Sequence, residues 1–250
     1  MKTPHLLALC LSLAFHSLSA DTQVLFFAKE TKTDSTRIAL SIENGEKVSG
    51  TRVNQPKEEV HGARGYLDGI VNGDVIQVLW SYEIEGSEQS EEMVLRLEGD
   101  KLLIGEGELV EGGNGRMNLK DPNSVAFTTS LKKVPVTEPN IGSPERKAIM
   151  DSMRAPVTEY AGKAVKFTGS VRQMGSWARF TGSVAPADGK AVKVEGIAAD
   201  MELDFFALLQ KDAEGNWQTL HWGFAGDTGV MEEARETYPK APWPLFEWVQ

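Results

Sequence analysis

Ala63-Arg64-Gly65-Tyr66-Leu67-Asp68-Gly69-Ile70-Val71-Asn72-Gly73-Asp74-Val75-Ile76-Gln77-Val78-Leu79-Trp80-Ser81-Tyr82-Glu83-Ile84 is the stretch that decides the fold. Two alternating segments flank an Asn-Gly pair, the strongest short-range signal for a β-hairpin. Alternation puts Ile76, Val78, Trp80, Tyr82 and Ile84 on one face of the second strand. A turn at Asn72-Gly73 sets Gly65 across from Trp80 and Gly69 across from Ile76. A glycine facing a large side chain leaves room for it, so small-to-large pairing supports this hairpin.

The same reading extends in both directions. Upstream, Asn44-Gly45 separates Ile38-Ala39-Leu40-Ser41-Ile42 from Val48. A two-residue turn there sets Ile42 against Lys47 and Arg37 against Arg52. A three-residue loop with Gly45 in the left-handed region pairs Leu40 with Val48 and unites the apolar side chains, so it is preferred. Downstream, Gly99-Asp100 suits a tight turn that pairs Glu98 with Lys101 and Leu97 with Leu102, placing Met93, Leu95, Leu97, Leu102 and Ile104 on one face. Short strands follow near 116–119 and 124–131. The sum is a meander of eight or nine strands over residues 21–134. Its apolar face and edges must be covered by closing or folding over, which predicts a small antiparallel barrel or a sandwich.

Residues 135–143 carry Pro135 and Pro139, with Pro144 just beyond. Proline fixes φ and removes a ladder donor, so the segment reads as an extended linker. Residues 144–250 form a second domain. Ser143 is a good N-cap and Pro144 a good first helical residue, and Ala148, Ile149, Met150, Met153 and Val157 make one apolar stripe. Pro156 falls near the expected helix end. Strands are predicted at 164–172, 177–183, 202–210 and 217–224, then a short helix over 230–238. A helix followed by an antiparallel meander gives an α+β layer fold similar to the cystatin-like and NTF2-like architecture. The chain as a whole is expected to be mainly β.

The wording of this second domain carries a resemblance. Ser143-Pro144-Glu145-Arg146-Lys147-Ala148-Ile149-Met150-Asp151-Ser152-Met153-Arg154, with Trp177-Ala178, Ala207-Leu208-Leu209, Gly215-Asn216-Trp217 and Gly226-Asp227-Thr228, resembles a module of uncharacterised secreted or periplasmic bacterial proteins. It spans roughly the last 105 residues. The resemblance implies export and a compact fold, and brings no activity with it.

Export is also written at the N-terminus. Lys2 opens a short positive region, Leu6 to Phe15 is apolar, and Ser17-Leu18-Ser19-Ala20 supplies small residues before Asp21. This reads as a signal peptide cut after Ala20, which makes the mature chain secreted or periplasmic. The apolar run is too short to span a membrane. Leu9 before Cys10 does not suit a lipoprotein anchor. Cleavage removes Cys10, the one cysteine, and leaves His61 and His221 of the four histidines. Disulfides and cysteine-based metal sites are thereby excluded. With 26 basic against 36 acidic residues the net charge is −10, which argues against a nucleic-acid partner.

The chemistry-bearing motifs are missing. There is no P-loop, no G-x-S-x-G elbow, no H-E-x-x-H and no EF-hand loop. No cofactor and no metal site is expected. The one catalytic constellation is on the last hairpin: pairing Lys211 with Asn216 sets Phe206 opposite His221 with Asp204 diagonal to it, and an aspartate can orient an imidazole for general-base work. The same register puts Leu203, Phe205, Ala207, Leu209, Leu220, Trp222 and Phe224 on the core face, and Asp204, Phe206, Leu208, Trp217, Thr219 and His221 on the other. Glu106 continues the apolar face of Met93 and Ile104, which would put a carboxylate in a barrel mouth. Trp80 and Tyr82 read as core or as the wall of a cavity. The acidic run Glu83, Glu85, Glu88, Glu91 and Glu92 lacks the spacing of calcium ligands and reads as a solvated hairpin end. The tail Ala241-Pro242-Trp243-Pro244-Leu245-Phe246-Glu247-Trp248 either docks on its own sheet or presents a patch to a partner. Candidate binding residues are accordingly Phe206, Trp217, Trp243, Phe246 and Trp248. The expected function is a non-catalytic exported envelope protein that binds a protein or an envelope polymer. The alternatives are a carrier of a small apolar ligand in the β-domain, or an enzyme using Asp204 and His221.

Overall fold

A computed structural model describes residues 21–57, 62–84, 86–188, 204–224 and 229–247. The chain is mainly β: an eight-stranded closed antiparallel barrel and a separate four-stranded sheet with a helix.

The barrel staves are β1 (Thr22–Glu30), β2 (Asp34–Glu43), β3 (Lys47–Pro56), β4 (Ala63–Asn72), β5 (Val75–Ile84), β6 (Ser87–Glu98), β7 (Lys101–Glu106) and, after an excursion, β10 (Ala126–Lys133). Neighbours pair in the order β5-β4-β3-β2-β1-β10-β7-β6, and a β5–β6 ladder closes the ring. Closure removes the free edges that an open meander would expose. The excursion is a hairpin, β8 (Leu109–Gly113) and β9 (Arg116–Leu119), whose second strand runs parallel to β6 at Ser90 and Glu91. The β-region therefore has ten strands rather than eight or nine, and two of them are not staves.

Register corrects two hairpins and keeps their faces. The first has the expected three-residue loop, with Gly45 at φ 72°, but pairs Ile42 with Val48 and Leu40 with Gly50. The second pairs Asn72 with Val75, so its two-residue loop is Gly73-Asp74. Gly73 alone takes a positive φ of 67°, in the first central position, which slides the ladder by two residues from an Asn72-Gly73 turn. Gly65 therefore faces Tyr82, Leu67 faces Trp80 and Gly69 faces Val78. A shift of two leaves every side chain on its side of the wall. The Gly99-Asp100 turn has the expected register, Glu98 with Lys101 and Leu97 with Leu102.

The barrel is filled. Phe27, Ile38, Leu40, Leu67, Ile76, Trp80, Met93, Leu95, Leu102 and Leu131 belong to one buried cluster. Gly69 sits between Val48 and Val78 in this interior, and a Cβ there would lie 2.0 Å from the Gln77 carbonyl oxygen and 2.8 Å from the Val78 Cα. Replacing Gly69 with valine is expected to cost about 1–3 kcal/mol by forcing strands apart in a packed core, read as a lowered denaturant midpoint with unchanged slope. A stability within a few tenths of a kcal/mol of the parent would contradict this packing.

The second sheet is β11 (Val165–Met174), β12 (Trp177–Pro186), β13 (Asp204–Lys211) and β14 (Trp217–Phe224), in sequence order. The helix α1 (Pro144–Ala161) begins as expected: Ser143 Oγ accepts from Arg146 N at 3.2 Å with Pro144 at the first turn. It runs five residues past Pro156 and ends on Gly162 at φ 65°. Proline removes one i→i−4 bond, but Met153 and Val157, both fully buried, hold the helix down on either side of it. The first face of the sheet packs on α1 through Phe180, Phe205, Ala207, Leu209 and Trp217. A second helix, α2 (Gly229–Thr237), covers the opposite face through Met231 and Ala234, which pack with Phe206 and Leu208.

Candidate functional site

The second sheet does not bring the expected acid–base pair together. Lys211 pairs with Trp217, not Asn216, because Asp212 holds the loop: its Oδ1 accepts from the Glu214 and Asn216 amides and its Oδ2 from Gln218 Nε2. A bulge at Leu220 then shifts the ladder again, so His221 stands opposite Leu208 and Phe206 opposite Gly223. Asp204 is four residues further along β13, about 13 Å of strand at ~3.3 Å per residue, and it pairs with Ser183 of β12. The acidic neighbour of His221 is Glu233 on α2, 3.8 Å from its Nε2.

The Lys211–Trp217 register puts Trp217 and Thr219 on the helix face, and the bulge after them keeps Trp222 and Phe224 on that same face. Trp217 is buried there and donates its indole N–H to Glu145 Oε1 at 3.2 Å, while Thr219 bonds Ser152. Hydrogen bonds from Lys211, first, and from Trp217 and Gln173 hold the Glu145 carboxyl below the usual range.

The face expected to present Phe206 is covered by α2 and by the chain's own tail, a 3-10 turn at Trp243–Phe246. Phe206 and Phe246 are buried, so neither belongs to an exposed patch. Trp243 packs edge-on to Phe26 of the barrel at 5.7 Å, with Arg37 over its ring. Trp248, Leu203, Glu85, His61 and residues 1–20 lie outside the described residues.

Arginines fasten this tail between barrel and sheet. Arg179 Nη1 donates to the Leu245 carbonyl at 3.1 Å and the Glu247 carbonyl at 3.0 Å, and Arg172 Nη1 donates to the latter at 2.9 Å. The Glu247 carboxylate accepts from Thr51 at 3.1 Å and Arg64 at 3.4 Å, both on the barrel. Burial, with Arg172 adding to it, pushes the Arg179 guanidinium down to about 9, which still leaves it charged at neutral pH. This is a structural clamp, and its cations are engaged.

One open feature is the barrel mouth. A pocket of about 600 Å³ is lined by Lys29, Asp34, Arg52, Asn54, Glu91 and Glu106, with Leu109 and Leu119 of the β8–β9 hairpin overhanging it. Alternation generates this layer: one step along each strand from the apolar core, the inward positions turn polar. Glu106 is where the sequence placed it. It accepts from Thr129 at 2.8 Å, and hydroxyl hydrogen bonds from Thr128 and Thr129 lower its pKa. Glu92 is occupied on the outside of the wall by Arg116 at 2.8 Å and the Leu119 amide at 3.1 Å. Glu83 and Glu88 are exposed at the hairpin end, and no group of acidic or histidine side chains among the described residues is arranged to hold a metal.

Arg52 dominates the floor. Register sets it between Ile38 and Gly65, and Gly65 in turn lies beside Tyr82. Its guanidinium lies 4.0 Å over the Trp80 ring, and Tyr82 stacks on Trp80 at 4.0 Å. Burial lowers the Arg52 pKa, opposed by Glu91. Burial, then Glu91, raises that of Tyr82. The sequence reading missed Arg52, yet the signal was present: in Val48-Ser49-Gly50-Thr51-Arg52 the inward alternation ends on a cation.

The architecture therefore defines a closed, filled antiparallel barrel with a polar mouth, clamped through its C-terminal tail to a helix-on-sheet unit. No protein-family model matches the chain, and no curated protein or solved structure matches it significantly. No helix among the described residues is long and apolar enough to cross a membrane.

Proposed function

We propose that this is a non-catalytic exported envelope protein that binds a protein or an envelope polymer, and that it receives part of that partner at the barrel mouth. The observation that carries the reading is the pocket itself: a concavity of about 600 Å³ lined by charged and apolar side chains alike, above an interior closed by apolar side chains. A filled interior speaks against carriage of a small apolar ligand inside the barrel. The separation of Asp204 from His221 speaks against the enzyme reading. Export rests on the pattern of Met1 to Ala20 and its expected cleavage before Asp21. The two-domain division, with a boundary in 135–143, is supported by the two separate sheets. A cystatin- or NTF2-like second domain is supported by one long helix laid across a four-stranded antiparallel sheet.

The test is native mass spectrometry of the full chain purified from its own envelope fraction, beside a Thr129→Trp variant that fills the mouth. A co-purifying mass is expected with the parent and should be lost in the folded variant. A bare parent chain, or a mass retained by the variant, overturns binding at the mouth.

A further inference from the structure

Resting on the proposed binding at the mouth, we infer that Arg52 is the anchor for an oxyanion, a carboxylate or phosphate group carried by the ligand. A guanidinium has five N–H donors and no acceptor capacity. Arg52 donates from Nη1 to the Met93 sulfur at 2.9 Å, and a thioether is a weak acceptor. Its Nε is shielded from solvent and has no hydrogen-bond partner. Among the described residues no oxygen atom accepts from it. By contrast Arg172 and Arg179 both donate to backbone carbonyls, and Arg96, whose Nε is also buried without a hydrogen-bond partner, has the Asp74 carboxylate 3.4 Å away.

The carboxylates of the mouth do not fill the gap. Glu106 is engaged by Thr129, Glu92 by Arg116 and a backbone amide, and Asp34 by Thr33. Glu91 acts on Arg52 through space but makes no ion pair with it within 4.0 Å. Partial desolvation of a cation without an oxygen partner disfavours the unliganded state. The side chain is nevertheless held in place from below by Trp80, in the room that Gly65 leaves. A planar fork pre-organised in a polar pocket fits bidentate capture of a carboxylate or phosphate. Lys29, on the same mouth, supplies a second positive charge.

The structural alternative is that Arg52 is a prop whose stem and ring contact stabilise the barrel. The two roles differ in sign. An anchor awaiting a ligand is replaced by methionine with a gain in stability, whereas a prop is replaced with a loss. The experiment titrates the full chain and its Arg52→Met variant with acetate, inorganic phosphate and neutral acetamide, following the Trp80 indole N–H by NMR, and records both melting temperatures. Acetate or phosphate is expected to move the Trp80 signal in the parent, with acetamide without effect. Arg52→Met should weaken that response by about tenfold or more, the scale of one charge-assisted hydrogen bond. Its melting temperature should rise by ~2–5 °C. A response to acetate alone assigns a carboxylate, and to phosphate alone a phosphate. An acetamide response equal to that of acetate would overturn the oxyanion while leaving mouth binding standing. No response to either anion, with a lowered melting temperature in Arg52→Met, would make Arg52 a prop and end the inference, and the Thr129→Trp comparison would then judge the mouth separately.

Discussion

Phe246→Ala is expected to destabilise the second sheet by about 3–5 kcal/mol, the range for truncating a fully buried phenylalanine. The ring is 2% exposed and sits in a cluster with Phe206, Leu208, Met231, Ala234 and Leu245. Two features place the loss high in that range. The cavity would open between a sheet and a helix whose own contact is small, because α2 is only nine residues long. The backbone on either side of Phe246 is also fixed by Arg179, Arg172 and Arg235, so the tail cannot slide inward to close the space. Denaturant unfolding followed through the tryptophans would read the loss as a lower midpoint. A loss below about 1 kcal/mol would mean that the tail is an ornament on a sheet already stable without it.

What could be read in advance follows a physical line. Local signals were sufficient where one residue dictates one geometry: the Ser143 cap, the Gly99-Asp100 turn and the alternation of β5. They misled where two turn signals overlap. Asn72-Gly73-Asp74 contains both an Asn-Gly and a Gly-Asp pair, and the Gly-Asp pair that governs residues 99–100 governs here as well. The β13–β14 register failed for another reason. The one-residue shift at the Asp212 loop brings Trp217 to Glu145 and Thr219 to Ser152 on α1, contacts with no trace in the strand's own sequence, and the Leu220 bulge then adds a second shift. The loop shift and the bulge, one residue each, together removed the Asp204–His221 constellation. The barrel mouth lay between these extremes. Glu106 was legible because it broke an apolar alternation, and Arg52 breaks one in the same way on β3. Its importance emerges only when closure of the barrel brings β3, β5 and β6 around one opening, which alternation within single strands does not specify.

Glu247→Ala is the second large effect, expected at about 3–5 kcal/mol, the usual cost of removing one partner from a buried ionic group. Its side chain is 6% exposed and faces cations from both halves of the chain: Arg64 on the barrel at 3.4 Å and Arg235 on α2 at 4.0 Å. Arg64 is half exposed, so that pair alone is screened and worth little. The weight comes from the interior, where Arg172 and Arg179 depend on this carboxylate for part of their compensation and already repel one another. Glu247→Gln keeps the shape and an acceptor for Thr51 but removes the charge. It should therefore lose less through the Thr51 contact while retaining most of the electrostatic penalty. The clamp joins Thr51 and Arg64 of the barrel to a tail held by Arg172 and Arg179 of the second sheet, so its loss should change cooperativity as well as stability. Calorimetry of the parent is expected to show one transition for the clamped chain, and of Glu247→Ala two, with the second sheet melting first. A single transition at the parent temperature in Glu247→Ala would show that the two halves are coupled by the Phe26–Trp243 contact and their apolar surroundings rather than by charge.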